Sequence, residues 1–307
     1  MKRIIRIICV ICAAVLFIGG LTGCGRKVQN VSSEDGWTQV VEKQTLCVGV
    51  YSDRFPMCYA NEDSFIGYDI DLITEIAFRL GVKIEFVDME ATGETPADLL
   101  NEGKIDCAIG AIVYTAELER QYILSDPYLT DQKLLIILRD SEITDLSDFV
   151  DKTLCMTKST EETSQITESP LFLSSFSKID YTLSDAAAVN MVMYGESDAA
   201  IVNQTVADYY INNGKKICYL GNDNGDVESF GSVQYVMAFA LKNKVLQKKV
   251  AEAYATMIRD GVTDSIQTKW FGRATPADRT KEAYRKAEEA AQNAAETVPD
   301  MEYDFLE

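Results

Sequence analysis

The chain of 307 residues contains no histidine. That absence removes Ser-His-Asp and Cys-His nucleophilic catalysis and every zinc site built on imidazole. Basic residues are scarce too: 29 Lys and Arg stand against 48 Asp and Glu, a formal net charge of −19. A surface of that sign repels phosphates, which argues against a nucleic-acid partner, and it favours solubility. The five cysteines beyond residue 24 (Cys47, Cys58, Cys107, Cys155, Cys218) show no CxxC spacing, so a four-cysteine metal site is unsupported. Cys47, Cys107 and Cys155 sit in apolar strand-like runs and read as buried thiols. Disulfide pairing stays open, because sequence alone cannot assign it.

What is present begins with a targeting pattern. Lys2, Arg3 and Arg6 precede an apolar run over residues 7–18 that is too short to span a bilayer comfortably. Leu21-Thr22-Gly23-Cys24 follows, and it matches a bacterial lipobox in which Cys24 is diacylated (palmitate-type chains) and becomes the mature N-terminus. The plainer alternative is an ordinary signal peptide with an incidental cysteine. Two acyl chains would anchor stably where one would not. Without Lys2, Arg3 and Arg6 the balance becomes 26 − 48 = −22. Residues 25–44 are polar with little periodicity and read as a flexible tether, which extended would reach on the order of 65–70 Å.

Beyond the tether, strand and helix signals alternate. Leu46-Cys47-Val48-Gly49-Val50 reads as a buried strand. Ile70, Ile73, Ile76, Ala77 and Leu80 form a helical stripe, with Asp69 as the expected N-cap and Gly81 as the stop. Val82, Ile84 and Phe86 alternate as the next strand. A short helix over 96–102 ends at Gly103, and a buried strand over 105–109 follows. A second unit repeats the pattern, with a strand at Leu154-Cys155-Met156, a helix over 184–194 and a strand over 199–202. Gly195-Glu196-Ser197-Asp198 echoes Gly103-Lys104-Ile105-Asp106 at the helix-to-strand joint. Such alternation predicts α/β units around parallel strands.

The runs GYDIDLITEIAFRLGVKIEF, LLNEGKIDCAIGAIVYTAELERQYILSDPY and LLIIL, starting at Gly67, carry a resemblance to a known family. Together they resemble the bacterial extracellular solute-binding proteins of family 3, which serve ABC importers of polar amino acids. The resemblance spans residues 46–272. It implies a periplasmic-binding-protein-like type II fold, two α/β lobes joined by two crossover segments, expected near 131–135 and 230–236. Lobe 1 would comprise 45–133 with 236–272, and lobe 2 would comprise 134–235. Residues 1–24 would be the signal, 25–44 the tether and 273–307 a helical and acidic extension. The family binds a solute between the lobes by hinge closure and hands it to a membrane permease. A monomer without metal or cofactor is expected.

The resemblance also marks a pocket, and this chain departs from it. The family's Ser/Thr-x-Thr-x-x-Arg aligns with Val113-Tyr114-Thr115-Ala116-Glu117-Leu118, so Thr115 fits but the arginine position is Leu118. Arg120, two residues on, faces away on a helix. The second lobe's Gly-Thr-Thr aligns with Ser159-Thr160-Glu161, where Glu161 either repels an anion or simply favours a helix N-terminus. The family's ammonium-binding aspartate aligns with Asn203. Tyr51 and Arg54 stand where many relatives have aspartate and tyrosine, and Arg54 is either the replacement cation or a surface residue.

Tyr59, Tyr68, Tyr114 and Tyr128 lie near the expected cleft, with Tyr68 and Tyr128 also fitted to packing. Losing one partner of a buried ion pair typically costs about 3–5 kcal/mol, so a standard amino acid in the standard pose is disfavoured. The expected function is binding of a small polar solute, amino acid-like or a related amine, in place of catalysis. The alternatives are a non-transporting sensor lipoprotein and a cyclohexadienyl-dehydratase-like enzyme on the same fold.

Overall fold

A computed structural model describes residues 36–158, 176–222 and 225–296. Chain order gives α1 (Gly36–Lys43), β1 (Thr45–Val50), β2 (Asp53–Arg54), β3 (Cys58–Asn61), β4 (Ser64–Ile66), α2 (Tyr68–Leu80) and β5 (Lys83–Asp88). Then come α3 (Met89–Thr92), α4 (Pro96–Glu102), β6 (Cys107–Val113), α5 (Leu118–Gln121), β7 (Ile123–Leu124) and β8 (Leu129–Leu138). The second unit holds β9 (Thr153–Thr157), β10 (Lys178–Thr182), α6 (Asp185–Met193), β11 (Ala199–Asn203), α7 (Gln204–Asn212) and β12 (Ile217–Tyr219). The chain returns through β13 (Ser229–Phe239), α8 (Lys244–Arg259) and α9 (Val262–Phe271), and α10 (Lys281–Glu296) follows.

The sheet order is β10-β9-β11-β8-β13-β6-β1-β5, with β12 added to β8 and β7 to β13. In lobe 1, β1 lies between β5 and β6, parallel to both; in lobe 2, β9 lies between β10 and β11, parallel to both. Both expected crossovers fall inside single long strands. β8 and β13 pair antiparallel, with Val233 opposite Asp131 and Ser229 opposite Leu134. Towards its far end β8 exchanges that partner for β11 and β12. β13 moves the other way and pairs with β6 from Tyr235 onward. Each lobe has its own core, one around Ile73, Phe239 and Trp270, another around Val189, Val202 and Tyr219.

Two local expectations are corrected. Residues 36–43, assigned to the tether, form helix α1, because Val40 is buried against lobe 1 while polar residues face outward. The Gly36 N–H donates to Asn243 Oδ1 at 3.1 Å, and Lys43 pairs with Asp106 at 2.7 Å. Asp69 is not an N-cap. Gly67 holds that place with φ 145°, and a Cβ there would sit 2.1 Å from the Met57 carbonyl. Only glycine tolerates both the conformation and the approach. Asp69 lies inside the helix start and points into the core.

The thiols of Cys47, Cys58, Cys107, Cys155 and Cys218 are all free. Cys47, expected inside, is half-buried, with its Sγ 3.6 Å from Lys43 Nζ at the lobe edge. Among the described residues, no helix is long and apolar enough to cross a membrane.

Candidate functional site

Loops outside the carboxyl ends of parallel strands are where open α/β sheets bind ligands, since helix N-termini and free backbone groups converge there. Tyr51 follows β1, Thr115 follows β6 and Asn203 ends β11, so three expected residues occupy such ends. Tyr235 links the two lobes at this level. It pairs with Val113 of β6, and its hydroxyl lies 3.4 Å from Asn203 Nδ2 and 3.0 Å from Asp131 Oδ2. The Tyr114 N–H donates to the Gln234 carbonyl at 2.8 Å, fixing the start of the Thr115 loop against β13.

Thr115 is half-buried, and its Oγ1 accepts from the Leu118 N–H at 3.2 Å, so this hydroxyl starts the short turn α5. Leu118 packs on the apolar cluster of Leu99 and Tyr122, which is why no cation stands at that place. Arg120 is exposed on the other side of the turn. Arg54 is also exposed; its guanidinium lies 4.9 Å from the Tyr51 ring centre and 3.2 Å from Asp53. Burial pushes the Tyr51 hydroxyl upward while the Arg54 charge partly opposes it. Tyr68 lies elsewhere: it is 2 % exposed, with its ring between Tyr128 and Phe271, so it belongs to the lobe 1 core and not to the pocket. Ser159, Thr160, Glu161 and Cys24 lie outside the described residues.

The structure adds a polar cluster that sequence reading passed over. Asp185, the first residue of α6, accepts from the Asn203 N–H at 2.7 Å, from Lys133 Nζ at 3.1 Å and from the Thr157 hydroxyl. Lys133 and Asp185 are both buried. Asp131 accepts from Thr205 N–H (3.1 Å), Thr205 Oγ1 (2.7 Å) and Tyr235 OH (3.0 Å). Burial raises its carboxyl to about 6 against these donors and the nearby Lys133 charge. Asn203 Oδ1 is buried and has no partner among the described residues, although its own backbone and Nδ2 are both engaged. The signal was available in Leu129–Leu138: Asp131 and Lys133 share one face of a strand whose remaining residues run apolar from Leu134, and charges on a buried face must be paired.

Aromatic side chains meet between the two lobes. Phe55 of lobe 1 packs edge-on against Tyr59 (5.0 Å), Tyr209 (4.8 Å) and Tyr210 (6.0 Å), the last two on α7 of lobe 2. Burial, with the neighbouring Tyr209 hydroxyl, raises Tyr59 to about 12. A cavity of about 810 Å³ lies elsewhere, between α10 and lobe 2, lined by Arg139, Lys216 and Tyr284 among others. It opens at the amino end of β11, away from Asn203, because β8 runs antiparallel and reaches Arg139 there.

Two α/β lobes joined by two unbroken strands, with polar groups converging at strand ends, define a two-lobed binding protein. The sequence profile of bacterial extracellular solute-binding proteins, family 3, matches residues 46–273, and the chain belongs to that family. It is 26 % identical over 267 residues to the L-cystine-binding protein TcyA of Bacillus subtilis (strain 168), covering 84 % of this chain and 94 % of that one. Over 253 residues it is 28 % identical to the arginine-binding extracellular protein ArtP of the same organism, covering 82 % and 92 %. Among solved structures, an ancestral cationic amino acid solute-binding protein superposes with a TM-score of 0.64 at 25 % identity, over 76 % of this chain and 98 % of that one. A polar amino acid ABC uptake transporter substrate-binding protein from Streptococcus thermophilus gives 0.64 at 20 % identity, over 83 % and 98 %, a likeness of fold. These relatives are binding proteins, and a solute-binding role follows for this chain.

Proposed function

We propose that the protein is the membrane-anchored solute-binding component of an ABC importer. It takes a small polar solute, amino acid-like or a related amine, between its lobes and delivers it to a permease. The observation that carries this reading is the convergence at Asn203, where a buried acceptor with no partner among the described residues adjoins the Lys133–Asp185 pair and the Tyr235 hydroxyl. The relatives named for cystine and arginine support an amino acid-like ligand. Tyr51, Arg54, Thr115 and Asn203 are the proposed contacts, and Cys24 is the proposed lipid attachment. Leu118 supplies no charge for a ligand carboxylate, so recognition leans on hydroxyls, amides and aromatic faces.

A thermal-shift screen of arginine, cystine, glutamine and simple amines tests this. A ligand at a hundred times its dissociation constant stabilises by about 2.7 kcal/mol. A saturable shift that Asn203→Ala abolishes is the expected result. Silence across the panel would sink the importer reading and favour the sensor alternative. The protein is proposed not to be an enzyme, and turnover of a cyclohexadienyl substrate would contradict that.

A further inference from the structure

Arg279 is 3 % exposed although it lies beyond the family's match at residue 273. Its Nη2 donates to the Phe271 carbonyl at 2.6 Å, at the end of α9 in lobe 1. Its Nη1 meets Asp208 Oδ1 at 2.5 Å, on α7 of lobe 2. Asp208 is held in turn by the Tyr219 hydroxyl at 2.6 Å and Gln204 Nε2 at 3.0 Å, both in lobe 2. One guanidinium therefore spans the two lobes, and its carboxylate partner cannot swing away.

The chain that follows stays on lobe 2. Thr280 bridges to Tyr219, Lys281 donates to the Ser141 carbonyl, and the Tyr284 ring lies 3.6 Å beneath the Arg139 guanidinium. On the lobe 1 side, Tyr209 of α7 stacks on Trp270 of α9 at 5.9 Å. A hinge formed only by β8 and β13 would let α7 and α9 separate. This third covalent link resists that separation through a buried, hydrogen-bonded ion pair that must be broken before the helices part.

We propose that residues 272–284 form a strap, clamped by Arg279 on Asp208, that restricts the relative motion of the two lobes and so sets the closure equilibrium of the cleft. The strap deepens the binding-protein reading, since it regulates the same cleft, but it is measurable without any ligand. An apparent affinity scales with the fraction of molecules in the competent state, so restricting the hinge changes affinity without a ligand contact.

The test uses the full chain without added ligand. Dyes are placed at Phe78 on lobe 1 and Leu183 on lobe 2, which are 76 % and 100 % exposed, through non-cysteine chemistry. Single-molecule energy transfer then reads the interlobe distance in wild type, in Arg279→Met and in the double variant Asp208→Asn/Arg279→Met. The double variant leaves no bare charge, so it stands in if the single one fails to fold. The expected result is a single narrow distance in wild type and its loss to a broad or two-peaked distribution in the variants. An unchanged narrow distance in the double variant overturns the strap, whatever the ligand screen shows. Hydrogen exchange over 281–290 separates a purely local role, because release of α10 with no change of interlobe distance also overturns it.

Discussion

The two lobes solve one geometric problem twice and charge it differently. In lobe 1, Asp106 N–H donates to the Cys47 carbonyl at 2.7 Å, and its carboxylate accepts from the Cys47 N–H at 2.7 Å. In lobe 2, Asp198 N–H donates to the Thr153 carbonyl at 3.1 Å, and its carboxylate accepts from the Thr153 N–H at 2.8 Å. Five residues further on, each strand is held by a carboxylate from the start of a helix. Asp69 accepts from the Ala111 N–H at 2.8 Å, and Asp185 from the Asn203 N–H at 2.7 Å.

The supporting groups differ. Among the described residues Asp69 has the Tyr128 hydroxyl at 3.0 Å besides Ala111, and its Oδ1 has no partner there. Burial drives its carboxyl up to about 7. Asp185 has the Lys133 ammonium and the Thr157 hydroxyl. Identical backbone logic thus buries, among the described residues, a carboxyl without a cationic partner in lobe 1 and an ion pair in lobe 2.

Breaking the ion pair gives the largest effect. Lys133→Met strands a buried carboxylate and should destabilise by about 3–5 kcal/mol in denaturant unfolding, with much of that loss recovered in Lys133→Met/Asp185→Asn. Full loss in the double variant would show that Lys133 acts through packing instead.

Removing the strand-entry carboxylates sharpens the comparison. Asp106→Ala should cost about 2–3 kcal/mol, since a nearly buried carboxylate serves the Cys47 N–H and Lys43. Asp198→Ala should cost nearer 1 kcal/mol, because its side chain is 36 % exposed and water replaces it. Equal costs would contradict this account.

The pH dependence separates the lobes further. The carboxyls of Asp69 and Asp131 stand above their ordinary value of 3.8, at about 7 and about 6. Between those values the folded chain holds more protons than the unfolded one, so stability falls as pH rises. The contribution is fully present below 3.8 and gone once pH passes the folded values. Thermal midpoints should therefore decline from pH 5 to pH 7.5. Asp69→Asn should flatten the upper part of that slope; an unaltered slope would remove Asp69 from the explanation. The smallest effect is expected at Arg54→Ala, which should change stability by less than about 0.5 kcal/mol. It should still weaken binding of whichever solute the screen identifies, and unchanged binding would take Arg54 out of the proposed contacts.

Much of the fold was legible in the residues themselves. Apolar periodicity and glycine stops place α2, α4 and β9 within a residue or two of where they form, because these features act over one or two helical turns. The repeat around Asp106 and Asp198 was visible as a pattern, and its physical content appeared only when both carboxylates met the backbone of a strand 45 or more residues away.

At the site, Asn203 and Thr115 were marked in advance and stand at strand ends. Tyr68 was marked and belongs to the core. Asp131, Lys133 and Asp185 were passed over, because a charge in a strand or at a helix start signals that it needs a partner without revealing which residue that is. Local sequence determined where helices and strands start and stop, since capping and periodicity are short-range. Tertiary structure alone decided which buried charge is paired, which carboxyl is raised and which ion pair crosses between lobes, since desolvation and pairing depend on neighbours that the chain brings together only by folding.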